Sequence, residues 1–230
     1  MCFYLDNNQF NNGDKITNLP DKKSFIPIHD ANQSVKSRKP TADDDLNFSY
    51  MNYRARQCLI VNYNLNGKNN LNVFIVFRIL DSPGAKFNGI FGNDDGGNDR
   101  YIAVWHDETP KKLTIGYGKG SLDISSFPSK ASPVTLNFSV LSIHYNTPNE
   151  NNSLVYCNGK YVINFTGETS TGENTFSIGS ISSNPTHYTS LKHIAYFSLY
   201  RGRFSRKDIL IQHKYLCEKY RISHDQITIP

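Results

Sequence analysis

LVYCNGKYV, at residues 154–162, carries the clearest structural signal in the sequence. Apolar residues flank the dipeptide Asn158-Gly159, and a two-residue loop of this type is typical of a β-hairpin because both of its positions need a positive φ. We therefore predict two antiparallel strands, over 154–157 and 160–165, joined by a tight turn.

Short strand patterns extend from this hairpin in both directions, separated by turns rich in Asn, Gly, Pro and Ser. They are predicted over 58–63, 71–80, 89–92, 100–106, 112–117, 134–145, 175–179 and 192–200. Strand 71–80 is apolar on both faces, which indicates a central strand covered on each side. In 134–145 the apolar alternation changes phase after Val140, which indicates a β-bulge. Without long helical patterns between them, these strands predict an all-β, antiparallel two-sheet sandwich.

One helix is predicted near the C-terminus, over 205–220. Ser205 can cap it, and Asp208 lies in the first turn, where a carboxylate is favoured by the helix dipole. Gln212 and His213 interrupt its apolar stripe, so we expect a short helix that lies across the sandwich rather than inside it.

The composition agrees with a folded, turn-rich protein. The chain has 230 residues, of which 26 are Asn, and 13% of the residues are aromatic. That aromatic content excludes a disordered chain, and Asn is favoured in turns. Residues 1–57 show turn clusters without sustained periodicity. We expect them to form an irregular leading segment packed on the sandwich, so that 1–230 is a single domain.

Further motifs flank the hairpin in a fixed order: NVFIVF at 72–77 precedes it, and FSIG at 176–179 and KHIAYFSLY at 192–200 follow it. In order and spacing they resemble motifs of the concanavalin A-like and laminin-G-like jelly-roll domains, in versions found on viral, phage and bacterial surface proteins. The resemblance implies a jelly-roll sandwich that is usually a non-catalytic module for binding carbohydrate or another surface partner. It does not select the ligand, because this fold carries many functions.

Charge and hydropathy exclude several classes of partner. The net charge of +5 is mild and spread along the chain, so it does not indicate nucleic-acid binding. The longest apolar run, 73–77, is too short for membrane insertion, and the N-terminus lacks a signal-peptide pattern. Four cysteines without a C-x-x-C pair predict free thiols. We expect a virion-surface or extracellular protein, since virion proteins assemble inside the host and need no signal peptide.

The loop GNDDGGNDR at 92–100 contains the candidate metal ligands. Ca²⁺ prefers carboxylate and amide oxygens, although the spacing here differs from that of an EF-hand loop. The alternative is a solvated turn in which Asn, Asp and Gly are present for their backbone preferences. Calcium is the one cofactor that the sequence suggests. The candidate ligands are Asn93, Asp94, Asp95, Asn98 and Asp99.

The strand that follows this loop carries candidate ligand contacts. Tyr101 and Trp105 share one face of the strand, and Arg100 begins it. If that face is open, the two aromatic rings could stack on a sugar. If it faces the other sheet, Trp105 is part of the core, and this alternative is favoured because large aromatic residues dominate protein cores.

Basic residues supply a second group of candidate contacts. Arg201 and Arg203 are followed closely by Arg206 and Lys207. Such a group could contact sulfated glycans or sialic acids through charge-assisted hydrogen bonds. The alternative is an ordinary solvated helix start.

No catalytic residue is assigned. Glycosidases need two carboxylates that flank a bond, and the pattern of carboxylates two apart on a strand is missing. We expect a non-catalytic module that binds a glycan or a cell-surface receptor, as a viral or phage attachment or capsid-surface protein. The alternatives are a structural jelly-roll subunit that packs on capsid or sibling subunits without binding sugar and, more weakly, a polysaccharide-degrading enzyme.

Overall fold

The computed structural model describes residues 2–6, 18–19, 31–32, 41–43, 50–53, 57–80, 87–105, 112–118, 120–125, 137–146, 152–167, 171–184, 192–224 and 227. The strands in these ranges are β1 (Cys2–Asp6), β2 (Asn18–Leu19), β3 (Ala31–Asn32), β4 (Thr41–Asp43), β5 (Tyr50–Tyr53), β6 (Leu59–Val61), β7 (Leu71–Ile79), β8 (Phe87–Gly92), β9 (Arg100–Trp105), β10 (Lys112–Tyr117), β11 (Ser121–Ile124), β12 (Ser139–Tyr145), β13 (Ser153–Cys157), β14 (Lys160–Phe165), β15 (Phe176–Ile178) and β16 (Lys192–Arg201). The helix, α1, spans Arg206–Lys219.

The strands form two antiparallel sheets. The first sheet has the order β14-β13-β12-β7-β16-β5-β4, with β1 also paired to β16, and the second has the order β11-β10-β9-β8-β15-β6-β3-β2. Every strand pair is antiparallel. The predicted all-β sandwich with one short C-terminal helix is confirmed, and it is consistent with a jelly roll.

The main core lies between the two sheets. On β7, Val73, Ile75 and Phe77 face it, and on β9, Ile102 and Val104 face it from the other sheet. These side chains alternate along their strands because successive residues of a strand point to opposite faces. All five are at most 1% exposed, so their burial contributes to the hydrophobic stabilisation that holds the sheets together.

A second apolar layer lies on the outer face of the first sheet. Phe74 and Val76 project from β7 toward α1, and Leu216 and Cys217 of the helix pack against them together with its C-cap, Tyr220. Strand β7 is therefore central, between β12 and β16, and apolar on both faces as predicted. The helix lies across the sandwich, also as predicted.

The ends of the helix agree with the sequence pattern. Ser205 is the N-cap: its hydroxyl accepts from the Asp208 N–H at 3.2 Å, and its own N–H donates to the Asp208 carboxylate at 2.9 Å. This reciprocal capping box satisfies two of the backbone N–H groups at the helix start.

Within the described ranges, no helix is long and apolar enough to cross a membrane.

The predicted hairpin is present as β13 and β14. Asn158 and Gly159 have φ values of 47° and 79°, which is the conformation that favours Asn and Gly. Asn158 also fastens the turn to the neighbouring strand β12. Its N–H donates to the Val140 carbonyl at 2.9 Å, and its side-chain oxygen accepts from the Val140 N–H at 2.8 Å.

The predicted bulge in 134–145 is wrong for the residues that the structure describes there. The register between β12 and β7 runs without a shift from Ser139↔Phe77 to Tyr145↔Leu71. Val140 packs beneath α1, whereas Leu141 faces the core between the sheets. Because both faces of β12 are covered, two consecutive apolar residues can each be buried, one on either face, without an inserted residue. Register shifts occur instead at 89/91, 155/156 and 194/196.

The leading segment contributes more regular structure than expected. Five short strands, β1 to β5, fall within it. β1 and β5 pair with β16, and β3 pairs with β6, so the segment supplies strands to both sheets. An irregular segment is thus wrong at these residues, and the other residues before 57 lie outside the described ranges. β11 is likewise absent from the sequence-based prediction.

Candidate functional site

Four cationic side chains lie on the turn between β16 and α1. Arg201, Arg203, Arg206 and Lys207 are all exposed, and we call them the basic turn. They come from one strand end, one connecting loop and the first residues of the helix. The sequence pattern predicted this group as candidate contacts, and all four side chains lie on the surface, where a ligand can reach them.

The backbone of the basic turn is held in place by β7 and the loop before it. Gly202 has a φ of +129°, which side-chain-bearing residues rarely adopt. Its N–H donates to the Asn70 carbonyl at 2.8 Å, and its carbonyl accepts from the Asn72 side-chain amide at 2.6 Å. Because both peptide groups of Gly202 are bonded, the cations are displayed from an anchored backbone.

The electrostatics of the helix start are unfavourable for these cations. Arg206 and Lys207 are the first two residues of α1, where the helix dipole disfavours positive charge. Asp208 accepts hydrogen bonds from the hydroxyl and the N–H of Ser205, and these bonds lower the pKa of its carboxyl. No ion pair between described residues involves Arg201, Arg206 or Lys207.

The polar side chains of the loop at 92–100 form hydrogen bonds within the loop and with neighbouring segments of the protein. The Asp94 carboxylate accepts from the Asp99 N–H at 3.0 Å, and burial raises the pKa of that carboxyl. The Asp99 carboxylate accepts from the Thr171 N–H at 2.7 Å. The Asn93 amide donates to the Asn66 side-chain oxygen at 3.0 Å. These bonds fasten the loop to two neighbouring segments.

The remaining candidate ligands face solvent. Asp95 and Asn98 are exposed, and Asn98 has a φ of 59°, which a turn residue of this type tolerates. In the described part of the chain, no group of three or more His, Cys, Asp or Glu is placed to hold a metal ion. The hydrogen bonds favour the turn over the calcium site, which stays a prediction.

We expect Ca²⁺ and EDTA to leave the melting temperature unchanged, because one oxygen of each of the buried carboxylates Asp94 and Asp99 already accepts a hydrogen bond from a backbone N–H group. A site loaded to one hundred times its Kd would add about 2.7 kcal/mol to the free energy of unfolding. Thermal unfolding with either additive checks this. A rise in Tm with Ca²⁺ that the Asp94→Asn variant abolishes would instead establish the calcium site.

Tyr101 and Trp105 lie on the outer face of the second sheet, since Ile102 and Val104 between them face the core. Tyr101 is only 5% exposed and packs against Ile181, and its hydroxyl donates to the Asn98 side chain at 3.3 Å. Trp105 is half-buried at the strand end. Core placement of Trp105 is therefore wrong, and Tyr101 is too enclosed to serve as a stacking platform in this conformation.

Arg100 is not available as a ligand contact. It shares the inward face of β9, is 1% exposed, and donates to the Leu65 carbonyl at 3.0 Å. Its guanidinium lies over the Tyr145 ring, 5.4 Å from the centroid. Burial lowers its pKa to about 10. The strand alternation explains the error in the prediction: Arg100 precedes Tyr101 and so faces the other way.

A chain of buried polar residues beneath α1 escaped the sequence analysis. Asn72, Ser142, His144 and His213 are each at most 1% exposed. The Gly159 N–H donates to His213 Nδ1 at 3.0 Å, so the neutral His213 carries its proton on Nε2 and donates it to Ser142 Oγ at 2.7 Å.

The same chain continues through the strands of the first sheet. The Ser142 hydroxyl donates to His144 Nε2 at 2.8 Å, and His144 Nδ1–H donates to the Asn72 side-chain oxygen at 2.8 Å. Every donor therefore meets an acceptor only when both imidazoles are neutral. Burial lowers the pKa of His213 to about 3 and the pKa of His144 well below its usual value.

This arrangement has the connectivity of a nucleophile, a base and an orienting amide, but Ser142 is 0% exposed beneath the helix. Its hydroxyl is also bonded to His213, so it is not presented to a substrate. The chain is a structural tie between the hairpin, the helix and β7. The sequence signals were polar residues alternating with Leu141 and Ile143 on β12, and His213 within the helix stripe.

No protein-family model matches the chain, and no curated protein matches it in sequence. The concanavalin A-like family is therefore supported by resemblance alone. Similar folds are found among solved structures. The binding domain of botulinum neurotoxin serotype D/C gives a TM-score of 0.58 at 14% identity, over 93% of this chain and 51% of that one.

Two further structures, both complexes with a ligand, are similar to the same degree. The binding domain of botulinum neurotoxin DC in complex with SialylT has a TM-score of 0.56 at 16% identity, over 88% of this chain and 51% of that one. The serotype D ligand-binding domain in complex with N-acetylneuraminic acid has a TM-score of 0.56 at 14% identity, over 87% and 50%. This chain thus spans about half the length of each, and shares with these binding domains a β-sandwich fold.

Proposed function

We propose that the protein is a non-catalytic module that binds acidic glycans through the basic turn. The observation that carries the proposal is the exposed pair Arg206 and Lys207 in the first turn of α1, where positive charge opposes the helix dipole. Residue types that are unfavourable at their position in a helix, and that gain no compensating contact within the protein, are typical of functional surfaces. With Arg201 and Arg203, they offer charge-assisted hydrogen bonds to carboxylate or sulfate groups.

The ligand class is supported by the similar structures. Two of them hold SialylT and N-acetylneuraminic acid, at 16% and 14% identity to this chain. Because this chain corresponds to about half of each, only the class of ligand enters the proposal, and the positions of those ligands do not. An anionic sugar also suits the four exposed cations of the basic turn.

The setting we propose is attachment to a glycan or receptor on a host cell, by a virion-surface or extracellular protein. This part rests on the resemblance to jelly rolls of viral, phage and bacterial surface proteins. The assembly alternative, a subunit packed on capsid or sibling subunits, predicts oligomers and no sugar binding. A hydrolytic role gains no support from Ser142, because its hydroxyl is sealed under α1.

Removing two charges of the basic turn tests the proposal. We expect the double variant Arg206→Gln/Lys207→Gln to bind sialylated and sulfated glycans at least about tenfold more weakly, because a hydrogen bond to a charged group contributes about 1.5–3 kcal/mol. Its Tm should stay equal or rise, since two cations leave the positive end of the helix dipole. A glycan array followed by titration calorimetry measures the binding.

The matched control is Lys214→Gln/Lys219→Gln, which removes the same charge from the middle and end of the helix and should retain binding. Binding that also falls with this control would mean that net charge, not the basic turn, attracts the glycan. A wild-type protein that binds no acidic glycan and elutes as a stable oligomer would contradict the proposal and favour the assembly subunit.

A further inference from the structure

Tyr161 is a large aromatic side chain left on the surface beside the basic turn. It is the second residue of β14 and is 44% exposed. Its ring packs on that of Tyr156, with 5.8 Å between centroids and 72° between planes. Because Tyr156 is only 3% exposed, it provides a fixed support for the Tyr161 ring. An exposed ring that is already supported loses little conformational entropy when it binds a ligand.

Tyr156 lies between this ring and the start of α1. It packs against Ile209 and Leu210 of the helix. Burial raises the pKa of its phenol, the Arg206 charge lowers that pKa, and Tyr161 raises it. The Arg206 guanidinium and the Tyr161 phenol therefore both act on the phenol of Tyr156. Ile209 follows Arg206 by three residues on α1, so the buried Tyr156 ring joins the exposed Tyr161 ring to the start of the helix, 45 residues away in the chain.

A ring and a cation at one place suit the two halves of an acidic sugar. The C–H face of a pyranose packs on an aromatic ring, as apolar groups do. The carboxylate or sulfate group of the same sugar pairs with a guanidinium through charge-assisted hydrogen bonds. Arg is better suited to this than Lys, because its planar fork matches the geometry of a carboxylate.

We infer that Tyr161 and Arg206 form one subsite for an anionic pyranose, in which the sugar ring stacks on Tyr161 and the acidic group accepts from Arg206. This inference rests on the proposed function and deepens it. It assigns recognition of the sugar ring to β14, whereas the basic turn alone recognises only charge. Neutral sugars should bind weakly, because stacking without the ion pair is insufficient.

The experiment measures the Kd of the full chain for a sialylated trisaccharide, for a sulfated disaccharide and for the desialylated core of the first. We expect Tyr161→Ala to bind both acidic sugars about tenfold more weakly, which corresponds to the loss of about 1.4 kcal/mol of aromatic contact. Tyr161→Trp should keep or improve binding. Tyr215→Ala is the matched control, since Tyr215 is 48% exposed but lies on the far face of α1.

The outcomes separate this inference from the proposed function. If Tyr161→Ala binds as the wild type does while Arg206→Gln/Lys207→Gln does not, the subsite is wrong and the proposed function stands. If the wild type binds neither acidic sugar, both are wrong. Loss with the sialylated sugar alone would identify a carboxylate-specific subsite, and loss with both would identify a general anionic one; each outcome supports the inference. Thermal unfolding of every variant excludes misfolding as the cause.

Discussion

Acidification from pH 7.5 to pH 5 is expected to lower the free energy of unfolding by about 2 kcal/mol through His213 alone. His144 acts in the same direction. A protonated His213 would direct an Nδ1–H at the Gly159 N–H, now 3.0 Å from Nδ1, so two donors would face each other. Neither imidazole can therefore gain a proton without breaking the chain of hydrogen bonds beneath α1.

The direction follows from proton linkage. The pKa of His213 is about 3 in the fold, against about 6.5 in an unfolded chain. The unfolded state therefore binds more protons below pH 6.5, and stability falls as the pH drops from there toward the folded pKa. Above pH 6.5 the contribution is fully present. The strongest loss should accompany release of α1, because His213 ties the helix to the hairpin.

Urea unfolding at several pH values measures this effect. In His213→Gln the loss between pH 7.5 and 5 should shrink by about 2 kcal/mol. Ile211→Ala, at an exposed, non-titratable position of the same helix, is the control and should leave the pH dependence as in the wild type. An unchanged pH dependence in His213→Gln would refute the assignment of neutral imidazoles.

Phe74→Ala is expected to cost about 3–5 kcal/mol, which is the usual range for removing a buried Phe. The Phe74 ring is 0% exposed and contacts four aromatic rings on different elements. The centroids of His144, Tyr200, Phe204 and His213 lie 5.3, 6.0, 5.9 and 5.8 Å away. The cavity would open directly beneath α1 and beside the buried polar chain, so the helix should unfold first.

Tyr215→Ala provides the comparison, since Tyr215 is 48% exposed on the opposite side of the same helix and should change stability by less than about 0.5 kcal/mol. Denaturant unfolding followed by circular dichroism gives both values. Equal effects of the two substitutions would show that α1 is not docked on the first sheet as described.

Local patterns were sufficient to predict most of the fold. The Asn158-Gly159 hairpin, the two-faced strand β7 and the capped helix each depend on residues close together in the chain. Their observed bounds differ from the predicted ones by a residue or two. The predicted bulge in β12 was wrong because the packing of that strand depends on a distant contact. The face on which Val140 lies is covered by α1, which is far away in the sequence.

The candidate site was only partly predictable. Arg201 and Arg203 are exposed, as a cationic turn beside a helix cap should be. Arg100 was misplaced because it alternates with Tyr101 and lies on the opposite face of the strand. Trp105 was misplaced because a strand pattern defines two faces but does not say which one meets the other sheet. That choice is made by contacts such as the one between Arg100 and Leu65, 35 residues apart.

The pairing of residues in the buried chain could not be predicted from the sequence. Ser142 and His213 are 71 residues apart, and Asn72 and His144 are 72 apart. Nothing in the local pattern indicates that these polar groups meet. In the sequence, His213 interrupts the apolar stripe of the helix. In the structure this polar residue is needed because it accepts a hydrogen bond from Gly159 in the hairpin turn.

The central claim is that acidic sugars bind at the basic turn, and chemical-shift mapping tests it most directly. A ¹⁵N-labelled full chain would be titrated with a sialylated trisaccharide. We predict shifts confined to the amides of residues 201–207 and 160–162, which saturate with the sugar and weaken with salt. Shifts centred on Tyr101 and Trp105 of the second sheet, or no shifts at all, would contradict the account.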